Sequence, residues 1–149
     1  MYVFKDSLGR IAGELSRNIG KILEVEFQKM GHSLSGREWG IISYLFNNEG
    51  MNQNSLCEVT GSDKVSVKRM IDGLESQKLV RRKVSPVDRR HYILSLTKKG
   101  VSVYDELSPL AARIIASSSS DIHVAELQLA IKTLKKINQN LKKMVEQTD

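Results

Sequence analysis

The sequence predicts a mainly α-helical chain that carries one small β-hairpin. Three observations lead there. Apolar residues recur at steps of three and four over most of the chain; the period falls to two between residues 79 and 96; and a turn-forming Ser85-Pro86 separates the two alternating runs. A length of 149 residues suits a single domain with a terminal extension, and an apolar fraction of 40% supplies a modest core.

The elements follow in order. Leu8, Ile11, Leu15, Ile19, Ile22, Leu23, Phe27 and Met30 form an amphipathic helix that Gly31 stops. Ser35 and Glu38 make a capping box for a second helix through Trp39, Ile42, Tyr44, Leu45 and Phe46, closed by Asn47-Asn48-Glu49-Gly50. A short helix near Gln53–Thr60 ends at Gly61, and Ser62 or Asp63 caps the next, about Lys64–Gln77, with Val67, Met70, Ile71 and Leu74 on one face. Two helices joined by a short glycine-containing turn make a helix-turn-helix pattern. Leu79–Val84 and His91–Leu96 read as strands around a turn at Ser85–Arg90. Thr97 caps a further helix through Val101, Tyr104, Leu107 and Leu110, in which Pro109 predicts a kink or break near Leu107. Ala116–Ser120 reads as a serine-rich turn. The last helix starts near Ile122 or His123, with Glu126 at the box position, and Leu127, Ala130, Leu134, Ile137, Leu141 and Met144 form a heptad seam.

Charge decides what such a fold is for. Between Ser62 and Lys99 stand eleven basic residues against four acids, a net +7 in 38 residues, while the chain as a whole carries +6. The entire excess therefore lies in one segment, as a polyanionic partner would require. The exposed face of the helix at about 63–77 shows Lys64, Val65, Ser66, Lys68 and Arg69, which suits a major groove: lysine, arginine and serine reach base edges or phosphates, and Val65 can touch a thymine methyl. Gln53 and Asn54, opening the shorter helix, are placed for phosphate. The turn at residues 85–91 brings Arg89 and Arg90 toward an adjacent minor groove, where arginine is favoured. Asp88 repels phosphate, so it is expected to pair with a nearby arginine and brace the turn.

Long apolar helices at both ends exceed what a lone helix-turn-helix needs, and a second copy is the economical partner for their seams. A two-fold dimer would present its two recognition helices roughly 34 Å apart and read a palindromic operator in double-stranded DNA. The expected organisation is an N-terminal dimerisation helix over 1–33, a DNA-binding lobe over 34–100 and C-terminal dimerisation helices over 101–149.

In these residues the chain resembles the MarR family of winged helix-turn-helix regulators. The likeness is carried in detail from Leu34 to Gly100: Asp63-Lys64 leads the recognition helix, Asp72-Gly73-Leu74-Glu75 ends it, and Asp88-Arg89-Arg90 with Leu96-Thr97 forms the wing. It implies a homodimer joined by terminal helices that usually represses transcription and, in many members, releases DNA when a small, often aromatic, ligand binds between lobe and dimer region. By position, Asp88 would brace the wing and Arg90 would enter the minor groove. Val65 departs from the small or hydroxyl residue common there, and Thr60 and Ser62 replace apolar residues that usually close the turn.

Other readings are bland or exclusive. No run of apolar residues is long enough for a membrane span, and the charged start MYVFKDSLGR implies an intracellular, cytoplasmic location. The single cysteine, Cys57, lies between Glu58 and apolar neighbours and is read as packing; the alternative is a thiol-switched regulator. His32, His91 and His123 lack metal-ligand spacing, and no nucleophile set or phosphate-cradling loop is visible, so neither metal, cofactor nor enzymatic activity is expected. Trp39 and Tyr44 are candidates for lining an effector pocket. A remaining alternative is a protein–protein assembly module whose basic face docks an acidic partner.

Overall fold

The computed structural model describes residues 7–48, 50–86, 89 and 92–147. Its elements run α1 (Leu8–Lys29), α2 (Gly36–Asn47), α3 (Gln53–Thr60), α4 (Lys64–Ser76), β1 (Val80–Val84), β2 (Tyr92–Leu96), α5 (Lys98–Ser118) and α6 (Val124–Glu146). Residues 1–111 form one compact unit and residues 112–149 a second. The mainly helical class with one antiparallel hairpin is as the sequence predicts.

Local chemistry explains where the helices begin. The Ser7 hydroxyl accepts from the Arg10 N–H at the start of α1. Ser35 and Glu38 complete the expected capping box of α2, with Glu38 Oε2 accepting from the Ser35 N–H at 2.9 Å and Ser35 Oγ from the Glu38 N–H at 3.2 Å. Asn52 caps α3, and Asp63 rather than Ser62 caps α4. Gly61, at φ +62, takes the left-handed conformation that ends α3. The turn that follows is closed by a hydroxyl where an apolar residue is usual. Thr60 Oγ1 donates to the Leu56 carbonyl at 2.7 Å and accepts from the Ser62 N–H at 3.3 Å.

The core of the first unit is built on the buried faces of α2, α3 and α4. Ile41, Ile42, Leu56, Val67, Ile71 and Leu74 are fully buried, and Leu94 of β2 joins them. Helix α1 reaches this core only through its C-terminal half, by Leu23 and Phe27; its remaining apolar stripe, Leu8, Ile11, Leu15, Ile22 and Val25, is exposed. Close approach of α1 to α2 is made by glycine: a Cβ on Gly36 would lie 2.4 Å from the Gly20 Cα.

Three expectations change in detail. Leu79 is not in the first strand. Its N–H donates to the Leu74 carbonyl and that of Lys78 to Glu75, closing α4 with Lys78 at φ +61, so β1 starts one residue later. Pro109 does not break α5, which is continuous from Lys98 to Ser118. Proline removes only one helical N–H there, and the buried residues on either side, Leu107 and Ala111, hold the turn. The serine-rich connection is shorter than predicted, because Ser118 and Ser119 donate back to the Ile115 carbonyl and extend the helix to Ser118.

Strands β1 and β2 pair with Val80 opposite Leu96, Arg82 opposite Leu94 and Val84 opposite Tyr92. On the other side of β2, the Leu94 N–H donates to the Met51 carbonyl at 2.7 Å. Thr97 caps α5 as expected, its Oγ1 accepting from the Gly100 N–H at 3.0 Å. In the second unit His123 caps α6, again with Glu126 in the box position, and no residue of α6 is buried.

Candidate nucleic-acid interface

The candidate site is the outer face of α4 with the hairpin beside it. Helix α4 exists because Val67, Ile71 and Leu74 repeat at four and three and bury completely, which turns its other face outward. Lys64, Val65, Lys68 and Arg69 stand exposed on that face, and Val65 is 78% exposed. Positions 64 and 68, and 65 and 69, are one turn apart, so three cations and the valine form a continuous patch. Ser66 is half-buried and its hydroxyl donates to Asp63 Oδ2 at 2.7 Å, tying it to the helix cap.

The other predicted contacts divide. Asn54 is exposed at the start of α3. Gln53 is half-buried, and its Nε2 donates to the Lys64 carbonyl at 3.3 Å, which fixes α3 against the first turn of α4. Arg89 is exposed at the hairpin turn. Asp88, Arg90 and His91 lie outside the described residues. Arg81 and Lys83, exposed on β1, add positive charge beside α4, with Arg81 Nε donating to Ser95 Oγ across the hairpin.

A bracing arrangement that the charge count hid is present within the described residues. Arg82, whose side chain is only 22% exposed, spans from β1 to α4. Its Nη2 donates to Asp72 Oδ1 at 2.5 Å and its Nη1 to Glu75 Oε2 at 2.7 Å, while its backbone N–H donates to Glu75 Oε1 at 3.3 Å. Asp72 Oδ2 accepts from Lys68 Nζ at 2.9 Å. The sequence signal was there: acids at steps of three on α4, followed by an arginine in the strand. It was absorbed into the count of basic residues.

These contacts set two carboxylates. The hydrogen bonds from Ser66, side chain first and then backbone, hold Asp63 below the usual aspartate value of about 3.9. The hydrogen bonds from Lys68 and then Arg82 lower Asp72 in the same way. A carboxylate with a folded pKa below its unfolded one stabilises the fold above the unfolded value, and that contribution disappears as pH falls through the folded value. Urea midpoints measured from pH 5 to pH 2 should therefore drop most steeply below about pH 4. The drop should be shallower in Asp72→Asn, and in Asp63→Asn, which keeps a capping oxygen without the titration.

The aromatic residues form a separate cluster. Trp39, 8% exposed, stacks on Tyr104 at 5.4 Å and meets Phe27 edge-on at 5.1 Å, and Tyr104 stacks on Phe46 at 3.8 Å. The ring contacts of Trp39 thus run to Phe27 and Tyr104, not to Tyr44, which is half-buried on the same helix. Cys57 is half-buried on α3. His32 faces Glu106, Nε2 to Oε2, at 3.2 Å. No helix among the described residues is long and apolar enough to cross a membrane.

Residues 32–91, which span α2, both helices of the turn and β1 and stop just before β2, match the MarR family profile. Over that stretch the chain is similar to the MarR family. A Thauera aromatica protein assigned to regulation of the hcr operon is 27% identical over 135 residues, covering 87% of this chain and 81% of that protein. Among solved structures, BpsR of Bordetella bronchiseptica superposes with a TM-score of 0.79 at 21% identity, covering 93% of this chain and 97% of BpsR. That structure concerns the regulation of BpsR's DNA binding by 6-hydroxynicotinic acid. The repressor CouR, solved on a 23-mer DNA duplex, superposes at 0.78 with 23% identity, covering 90% and 94%. At these identities the structures establish the MarR fold. The curated relatives that the chain resembles are described as transcriptional regulators.

Proposed function

We propose that the chain is a homodimeric repressor of transcription: it binds a palindromic duplex operator and leaves it when a small aromatic effector binds. Helix α4 would enter the major groove with Lys64, Val65, Ser66, Lys68 and Arg69 toward the bases and phosphates, and Asn54 would take a phosphate. The wing at 85–91 would reach the adjacent minor groove with Arg89 and Arg90, braced by Asp88. The observation that carries this reading is the patch on α4: four exposed side chains, three of them cationic, backed by a completely buried opposite face.

The dimer is supported by what one chain leaves uncovered. The stripe Leu8, Ile11, Leu15 and Ile22 of α1 is exposed, as are Leu134, Leu141 and Met144 of the heptad seam in α6. These terminal helices would form the dimerisation region over 1–33 and 101–149, with residues 34–100 as the reading lobe. The effector would lodge against the aromatic cluster at Trp39, with Tyr44 nearby, and change the separation of the two recognition helices, so that both no longer fit successive major grooves. A regulator of this kind works in the cytoplasm, on DNA.

The test is binding to duplex from the protein's own upstream region, measured as a function of salt. The logarithm of affinity should fall linearly with the logarithm of salt, and Lys64→Ala and Arg69→Ala should each reduce that slope by about one if they hold phosphates. Binding to an acidic protein in preference to DNA would instead favour an assembly module. Loss of peroxide response in Cys57→Ser, with DNA affinity kept, would favour a thiol switch.

A further inference from the structure

We propose that Arg82 is a positioning residue that sets the angle between the recognition helix and the wing, acting through Asp72 and Glu75 and not by touching DNA; this rests on the DNA-binding reading above. Three features of the geometry support it. The guanidinium is engaged on α4: two of its nitrogens donate to two different carboxylates, and with 22% of the side chain exposed it has little surface left for a phosphate. The link is rigid, because a planar guanidinium holding two carboxylates fixes direction as well as distance, which a single lysine ammonium does not. The backbone takes part as well, since Glu75 also accepts the Arg82 N–H.

The place of the link matters as much as its chemistry. Arg82 lies opposite Leu94 in the hairpin, and Leu94 is itself held from the other side by the Met51 carbonyl. That rung is therefore fixed on both flanks, to α4 through Arg82 and to the segment before α3 through Met51. The hairpin continues outward from it to Val84 and Tyr92, both exposed. A small rotation at the rung would be magnified at the turn, where a minor-groove contact would be made. Holding the angle in the free protein removes an ordering cost from binding, and affinity gains accordingly. Asp72 has a second duty, since the same carboxylate holds Lys68 against α4.

Simple electrostatics and this proposal predict opposite signs for one variant. Asp72→Ala with Glu75→Ala removes two negative charges from the DNA-facing lobe, so a purely Coulombic view predicts tighter binding to duplex. Alanine is the best helix former, so α4 should persist, which circular dichroism checks. The proposal predicts weaker binding of the operator duplex, at least about tenfold, with minor-groove hydroxyl-radical protection lost while major-groove protection remains. Arg82→Gln, which changes charge in the opposite direction, should show the same selective loss. If Arg82 instead contacts DNA directly, Arg82→Gln weakens binding while the double alanine variant strengthens it, and the proposal is overturned.

A readout on the free protein separates this claim from the DNA-binding reading. Amide exchange in β1 and β2 should rise at least about tenfold in both variants, with α2 and α3 unchanged. Unchanged exchange in the hairpin overturns the positioning role whatever the DNA result. If the wild-type chain binds no duplex, the functional reading fails, and the exchange measurement still decides whether Arg82 holds the wing.

Discussion

Trp39→Ala is expected to destabilise the first unit by about 3–5 kcal/mol, among the largest effects of any single truncation in the chain. The indole is nearly buried and lies between two other rings, edge-on to Phe27 and stacked on Tyr104, which in turn stacks on Phe46. Removing it leaves a cavity that Phe27, fully buried on α1, cannot leave its own contacts to fill. It also strips the Tyr104 ring of one of its two stacked neighbours. The urea midpoint should fall with little change in slope, since the surface exposed on unfolding is nearly the same. Trp39→Phe, which keeps a ring in the stack, should lose much less. If the effector binds at this cluster, Trp39→Phe is also the variant in which effector release should weaken while DNA affinity stays near that of the wild type.

Gly100→Ala is expected to cost about 3 kcal/mol or more, at or beyond the upper end of ordinary overpacking. A Cβ at this position would lie 2.1 Å from the Leu79 carbonyl oxygen and 3.0 Å from its carbon. That carbonyl cannot swing away cheaply, because it accepts the Thr97 N–H at 3.0 Å and closes the sheet onto α5. The disturbance would fall on the junction of α4, the base of the hairpin and the start of α5. Heat and urea midpoints should both drop. Amide exchange should rise first at residues 79–80 and 96–101, before it does so in α2.

The contrast between these residues and the exposed cations of α4 explains what could be read in the sequence. Periodicity identified α1 through α4 and the hairpin because each element must bury one face, and burial leaves a regular trace in residue order. Caps were equally legible: Ser35 with Glu38, and His123 with Glu126, lie three residues apart and act locally. The errors came where tertiary contacts decide. Pro109 is tolerated because Leu107 and Ala111 are anchored, and Leu79 is drawn out of the strand by the carbonyl of Leu74. At the site, net charge pointed to a segment but not to the state of each charge. Lys68 and Arg82 look alike in a count of cations, yet one is exposed and shares a carboxylate while the other is mostly enclosed between two. The aromatic cluster was half visible: Trp39 stood out, whereas Tyr104, 65 residues later, gave no sign of being its neighbour.

On the proposed function, α4 would enter the major groove twice in each complex with DNA. Dimethyl sulfate protection of guanine N7 reports the major groove directly. On a duplex selected from a random pool by the purified protein, two protected patches should appear, centred about 10 base pairs apart or a multiple of that, and both should fade in Arg69→Ala. A bound duplex with no protected N7, or with one patch only, would contradict it.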